Sequence, residues 1–159
     1  MNGTESQPLD RLLAERAMER VILDFVHHLD LGEPGDVAEL FTEDGVWEWA
    51  HDGRRSTGRD ALRAYFGSRP ADRLSRRVCT NLRVTLDSDH TAHATTYFAT
   101  YRVDGHEPGT IPLSGPPVNV GHYEDRFRKV DGTWLIARRS LFLAFGSPTE
   151  RLKPVVAPA

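Results

Sequence analysis

Residues 77–103 read RVCTNLRVTLDSDHTAHATTYFATYRV, and this stretch decides the fold class. In residues 77–86 apolar side chains alternate with polar ones, with Val78, Leu82, Val84 and Leu86 marking one face of a strand. Asp87-Ser88-Asp89 supplies a turn. Residues 91–103 then give a second long strand rich in Thr and aromatics. Two long strands joined by so short a turn are antiparallel. Working toward the C-terminus, residues 118–130 and 133–145 repeat the pattern around the hairpin turn Asp131-Gly132. Between the two hairpins, residues 105–117 (GHEPGTIPLSGPP) are too rich in Pro and Gly for a strand. This loop is long for its place, and we expect it at the mouth of a site.

Toward the N-terminus the period changes from two to 3.6. Ala14, Met18, Val21, Ile22, Phe25 and Leu29 fall on one stripe of a helix over residues 9–30, which Gly32, Pro34 and Gly35 stop. A short helix is expected over 37–41 and another over 59–66. A short alternating strand is expected over 46–49, and a polar turn over 52–57. Helices first and long hairpins after give an α+β fold rather than βαβ units. The expected organisation is a disordered segment over 1–8, one domain over 9–145, and an extended tail over 146–159.

Composition narrows the function. The chain has 159 residues, 39% hydrophobic and 27% charged, with a formal net charge of −3. A slightly acidic chain with scattered arginines is not a nucleic-acid binder. No apolar run approaches the roughly 20 residues of a membrane span. The polar start, MNGTESQPLD, is no signal peptide, and the single cysteine, Cys79, forms no internal disulfide, so a reducing cytoplasm is expected. The histidines show no metal-ligand spacing: His90 and His93 fall on opposite strand faces, and His27 and His28 diverge by about 100° on their helix. No phosphate loop, nucleotide fingerprint or nucleophile elbow is present. The expectation is chemistry without metal or cofactor. The outer strand face, carrying His93, Thr95, Tyr97 and Tyr101, is unusually aromatic, which predicts a homo-oligomer, a dimer.

Five stretches, in order, carry a resemblance. They are Phe25-Val26-His27-His28-Leu29-Asp30-Leu31-Gly32, Leu40-Phe41-Thr42-Glu43-Asp44-Gly45-Val46-Trp47, Gly58-Arg59-Asp60-Ala61-Leu62, Arg77-Val78-Cys79-Thr80-Asn81-Leu82-Arg83-Val84, and Gly121-His122-Tyr123 with Asp131-Gly132-Thr133-Trp134. Together they resemble the SnoaL-like branch of the NTF2-like superfamily, the branch of scytalone dehydratase, bile-acid dehydratase and hexachlorocyclohexane dehydrochlorinase. The resemblance implies a curved sheet wrapped around helices and enclosing one apolar pocket. It also implies lyase, isomerase or cyclase activity on a small ring compound.

In those enzymes an Asp at the end of the first helix orients a His base on the first long strand. Asp30 matches the Asp, but Arg77 stands where the His belongs. Arginine does not give up its proton at neutral pH and cannot be that base. The resemblance makes Asp30, Arg77 and Tyr123 the catalytic candidates. It makes Phe25, Val26, Trp47, Trp49, Asn81, Phe98, Thr100, Arg139 and Leu141 the candidates for the substrate pocket. His27, three residues before Asp30, is the alternative base. Phe25 and Trp49 occupy the Tyr and Asp positions of the steroid isomerases, which removes that mechanism. The rival reading is a binding or assembly protein that has lost the dyad.

Overall fold

The computed structural model describes residues 8–147. The disorder expected over 1–8 and the tail expected over 146–159 lie mostly outside them, but Pro8 already belongs to the first helix and Gly146 to the last strand. Helix α1 (Pro8–Leu31) buries the stripe Met18, Ile22, Phe25 and Leu29. A short 3₁₀ helix (Pro34–Leu40) follows, then strand β1 (Phe41–Trp49), the three-residue β2 (Arg55–Thr57) and helix α2 (Arg59–Gly67). Four long strands complete the chain: β3 (Leu74–Leu86), β4 (Thr91–Val103), β5 (Asn119–Val130) and β6 (Thr133–Gly146).

The six strands form one sheet in the order β2-β1-β6-β5-β4-β3. All neighbours are antiparallel except β1 and β6, which run parallel, with Trp47 opposite Arg139 and Trp49 opposite Leu141. The helices cover the inner face. Arg59 pins α2 to β1 by donating two hydrogen bonds, at 3.0 and 2.9 Å, to the Phe41 carbonyl. No helix among the described residues is long and apolar enough to cross a membrane.

Three local expectations are corrected. Glu43-Asp44-Gly45 lies inside β1 as an irregularity in its pairing with β6, not in a turn before the strand. Part of the polar turn is the strand β2, whose three residues show no apolar alternation to announce them. The largest correction is in β3. Its register with β4 shifts between Thr80 and Arg83, and Asn81 takes a φ of 54°. This is a β-bulge, and Asn is among the residues that tolerate such a φ. It reverses the facing of the strand. Ser75, Arg77 and Cys79 turn inward on one side of it, and Leu82, Val84 and Leu86 on the other. Val78, expected inside, is half exposed.

Opposite Val120 and Gly121 of β5, the strand β6 bulges, with Ala144 as the extra residue. A Cβ on Gly121 would sit 2.0 Å from the carbonyl oxygen of Phe142 on β6. A backbone atom cannot swing aside, so only glycine fits. Gly121→Ala should cost about 1–3 kcal/mol as an overpacking change. That is roughly 2–12 °C of melting temperature for a domain of this size. Scanning calorimetry of the variant checks it, and an unchanged transition would mean that the two strands part there at no cost.

The outer sheet face carries exposed Tyr97 and Tyr101 beside Val78. His122 lies on that face as well, stacked on Phe142 at 4.9 Å between ring centroids.

Candidate active site

One cavity of about 100 Å³ lies between the helices and the inner face of the sheet. The inner stripe of α1 delivers Phe25 and Leu29 to it. Strand alternation delivers Trp47 and Trp49 from β1, Phe98, Thr100 and Arg102 from β4, Tyr123 from β5, and Leu141 from β6. The aromatic wall is continuous: Phe25 stacks on Trp47 at 5.7 Å, Phe98 on Tyr123 at 4.5 Å, and Phe66 meets Trp47 edge-on at 5.3 Å. Tyr65, Phe66 and Arg69 come from α2 and the turn after it, and Arg73 comes from the approach to β3.

Asp30 and Arg77 meet. The Asp30 side chain, 7% exposed, lies at the end of α1, and its Oδ1 accepts hydrogen bonds from Arg77 Nη1 and, at 2.6 Å, from Ser75 Oγ. Its Oδ2 accepts the Arg77 backbone N–H at 2.5 Å. Arg77 forms part of the cavity wall, while Asp30 sits behind it as a brace. The carboxylate holds the guanidinium rather than facing the cavity itself.

Arg139 also differs from expectation. It is fully buried and does not line the cavity. Its guanidinium lies 4.3 Å from the Phe25 ring centroid and 4.5 Å from that of Tyr123. It makes a two-pronged ion pair with Asp125, both bonds at 2.6 Å. Burial pulls the Arg139 pKa down, but the charge and hydrogen bonds of Asp125 outweigh that and leave it raised. The pair is an internal strut behind the aromatic wall.

Three other expected residues stand elsewhere. Asn81 is exposed, turned out by the bulge that it forms. His27 is exposed, its ring near that of His28, so it does not substitute as the base. Val26 is half-buried but not in the cavity wall. Cys79 is inward-facing, and burial pushes its thiol pKa up, which keeps it protonated and unreactive. Burial also pushes the Tyr123 phenol up to about 12, so it remains a hydrogen-bond donor at any physiological pH.

Sequence reasoning missed Arg69, Arg73, Ser75, Tyr65, Phe66 and Asn119. The first five lie in or beside the connection after α2, where no periodicity reports a facing. One signal was present: Arg69, Arg73 and Arg77 recur every four residues across that connection. The loop between β4 and β5 places none of its residues 105–117 in the cavity wall. Both of its ends lie beside wall residues, Arg102 before it and Asn119 after it, and Ile111 and Leu113 stand almost fully exposed on it.

Solved structures share this architecture. A candidate scytalone dehydratase from Novosphingobium aromaticivorans is 24% identical, with a TM-score of 0.73 over 96% of this chain and 100% of that one. A hexachlorocyclohexane dehydrochlorinase from Novosphingobium barchaimii is 18% identical, with a TM-score of 0.70 over 95% and 100%. A Mycobacterium tuberculosis protein of unknown function is 25% identical, with a TM-score of 0.69 over 87% and 77%. Curated proteins give no match. The model of the SnoaL-like domain matches residues 10–140, from the first helix to the last strand. With most of its length matched and an NTF2-like sheet around an aromatic cavity, this chain belongs to the SnoaL-like domain family.

Proposed function

We propose that the chain is a cofactor-independent enzyme that takes a proton from a small, mostly apolar ring compound and eliminates, isomerises or cyclises it. The observation that supports this most is the Asp30–Arg77 pair at the wall of an aromatic cavity. It stands where the resemblance puts the Asp and its basic partner. The division of labour differs because Arg77 cannot be the base.

In this reading Arg77 is the electrophile. It turns toward a substrate carbonyl and donates a hydrogen bond to the oxygen on which enolate charge develops. That turn frees one lone pair on Asp30 Oδ1, and the carboxylate then takes the proton from the neighbouring carbon. The C–H electron pair moves toward the carbonyl, and its return expels a substituent from the next carbon. Tyr123 gives that leaving group its proton, and the proton held on Asp30 afterwards restores the phenol. The substrate must have an acidified C–H or a good leaving group, because an ion-paired carboxylate is a weak base.

A second reading, binding without turnover, is favoured by one observation. Among the described residues, no carboxylate and no imidazole lines the cavity directly. The deciding experiment uses cyclic β-hydroxy and β-halo ketones with a chelator present. It follows the absorbance of the conjugated product, with thermal shift as the binding readout. Saturable product formation is expected. Binding of these ketones without any product would leave the binding reading in its place.

A further inference from the structure

The cavity wall carries more positive charge than the Asp30–Arg77 pair explains. Arg69, Arg73, Arg77 and Arg102 all line it. Two carboxylates answer these four. Asp30 pairs with Arg77, and Asp104 pairs with Arg73 at 2.6 Å and Arg102 at 2.5 Å. Asp104 is half exposed, so water screens its ion pairs, although Arg102 grips it through two nitrogens and the two guanidiniums hold its pKa down at about 2. Arg69 donates to neutral oxygens, the Leu29 carbonyl at 2.6 Å and the Ser75 hydroxyl. Burial, with the charge of Arg77 beside it, pushes the Arg69 pKa down to about 10, which leaves it a cation at neutral pH among other cations. Like charges crowded in a partly dry cleft are stabilised by an incoming anion.

The deeper wall holds polar groups with no partner. Trp47 and Trp49 are only 5% and 7% exposed, and among the described residues their indole Nε1–H groups find no acceptor. The Oδ1 of Asn119, also at the wall, accepts from nothing. Buried donors and acceptors left unpaired are costly. The wall therefore combines aromatic faces with a set of guanidinium forks. Such forks match a carboxylate in two-pronged geometry.

We propose that the ligand of this cavity is a small planar ring compound bearing a carboxylate. The ring lies among Phe25, Trp47, Phe98 and Tyr123, and the carboxylate engages the rim of Arg69, Arg73 and Arg102, displacing Asp104 from part of it. The inference rests on the small-molecule reading given above and names the substrate class for the same cavity. The volume of about 100 Å³ is on the scale of cavities that accept a single aromatic ring.

The test compares acids with their neutral isosteres. Benzoate and 2-naphthoate are titrated against benzamide and 2-naphthamide by calorimetry and by the fluorescence of Trp47 and Trp49. At least one acid should bind about tenfold tighter than its amide, or more, a difference near 1.4 kcal/mol. Its advantage should shrink as salt is raised. Arg69→Met and Arg102→Gln should each reduce the advantage, weakening the acids more than the amides. Arg102 sits at the open rim, so its variant reports even if removing the bonds of Arg69 unfolds the chain. Equal binding of acids and amides, no binding of either acid, or a preference undiminished in Arg102→Gln overturns the proposal. If the acids bind and no ring compound turns over, the enzyme reading fails and this one stands. If neutral ketones are turned over and the acids show no advantage, the reverse holds.

Discussion

Asp125→Asn should melt roughly 6–20 °C below the wild type, the largest loss of stability expected from any single conservative change in this chain. Both members of the Asp125–Arg139 pair have fully buried side chains. Asparagine keeps the shape of aspartate but loses its charge, and its amide nitrogen meets a guanidinium N–H donor to donor. Arg139 is then a buried cation with half of its answer gone, and Arg139 Nη1 already lacks a partner. Breaking a buried pair in this way costs about 3–5 kcal/mol. The contacts of Arg139 with the Phe25 and Tyr123 rings do not replace it, since both are already made in the paired state. Replacing both partners should behave differently. Asp125→Leu with Arg139→Met removes the desolvation cost together with the attraction, and should recover most of the loss. Calorimetry on the single and double variants checks this, and a loss under about 3 °C in Asp125→Asn would show that the pair is no strut.

Asp30→Asn carries the largest expected effect on activity. The substitution keeps the side-chain shape but leaves one acceptor oxygen, which can serve the Arg77 backbone N–H while the amide nitrogen donates to the Ser75 hydroxyl. What it removes is, among the described residues, the carboxylate that pairs with Arg77. In the proposed mechanism product formation should fall at least about 100-fold, the usual contribution of a general base, while ligand binding survives. Stability should fall less than in Asp125→Asn. Arg77 lines the cavity and is 16% exposed, so it can turn to water or ligand when its partner is neutral. The loss should be about 1.5–3 kcal/mol, that of a hydrogen bond to a charged group. Measuring turnover and melting on one preparation separates the readings: activity lost with binding kept supports the base, melting alone changed supports a structural brace, and neither changed rules out both roles for Asp30.

The fold was legible because its signals are local and regular. The α1 stripe, the two long hairpins and their turns are written as periods of 3.6 and two, and packing did not override them. The site was legible where a residue sits inside such an element. Phe25, Trp47, Trp49, Phe98, Thr100, Tyr123 and Leu141 line the cavity because strand parity and helical spacing carry over to three dimensions. It was illegible in two kinds of place. One is the connection from α2 to β3, where Arg69, Arg73 and Ser75 obey no period. The other is where parity fails, as at Asn81. Depth was a third blind spot. Parity puts Arg139 on the inner face, but only coordinates reveal that Asp125 and the rings of Phe25 and Tyr123 hold it behind the wall.

The bulge at Asn81 makes β3 two half-strands spliced out of phase. Residues 75, 77 and 79 turn inward near the cavity, with Arg77 in its wall, and residues 82, 84 and 86 turn into the hydrophobic interior, with a seam between them. Changing the first set leaves the facing of the second as it is, but removes Ser75 and Arg77, the groups that hold Asp30. A one-residue deletion at the seam would remove the extra residue, and the two sets, then evenly spaced, would alternate regularly on the same inner face. The strand thus tolerates a change of length at its seam better than a change of chemistry at residues 75 and 77.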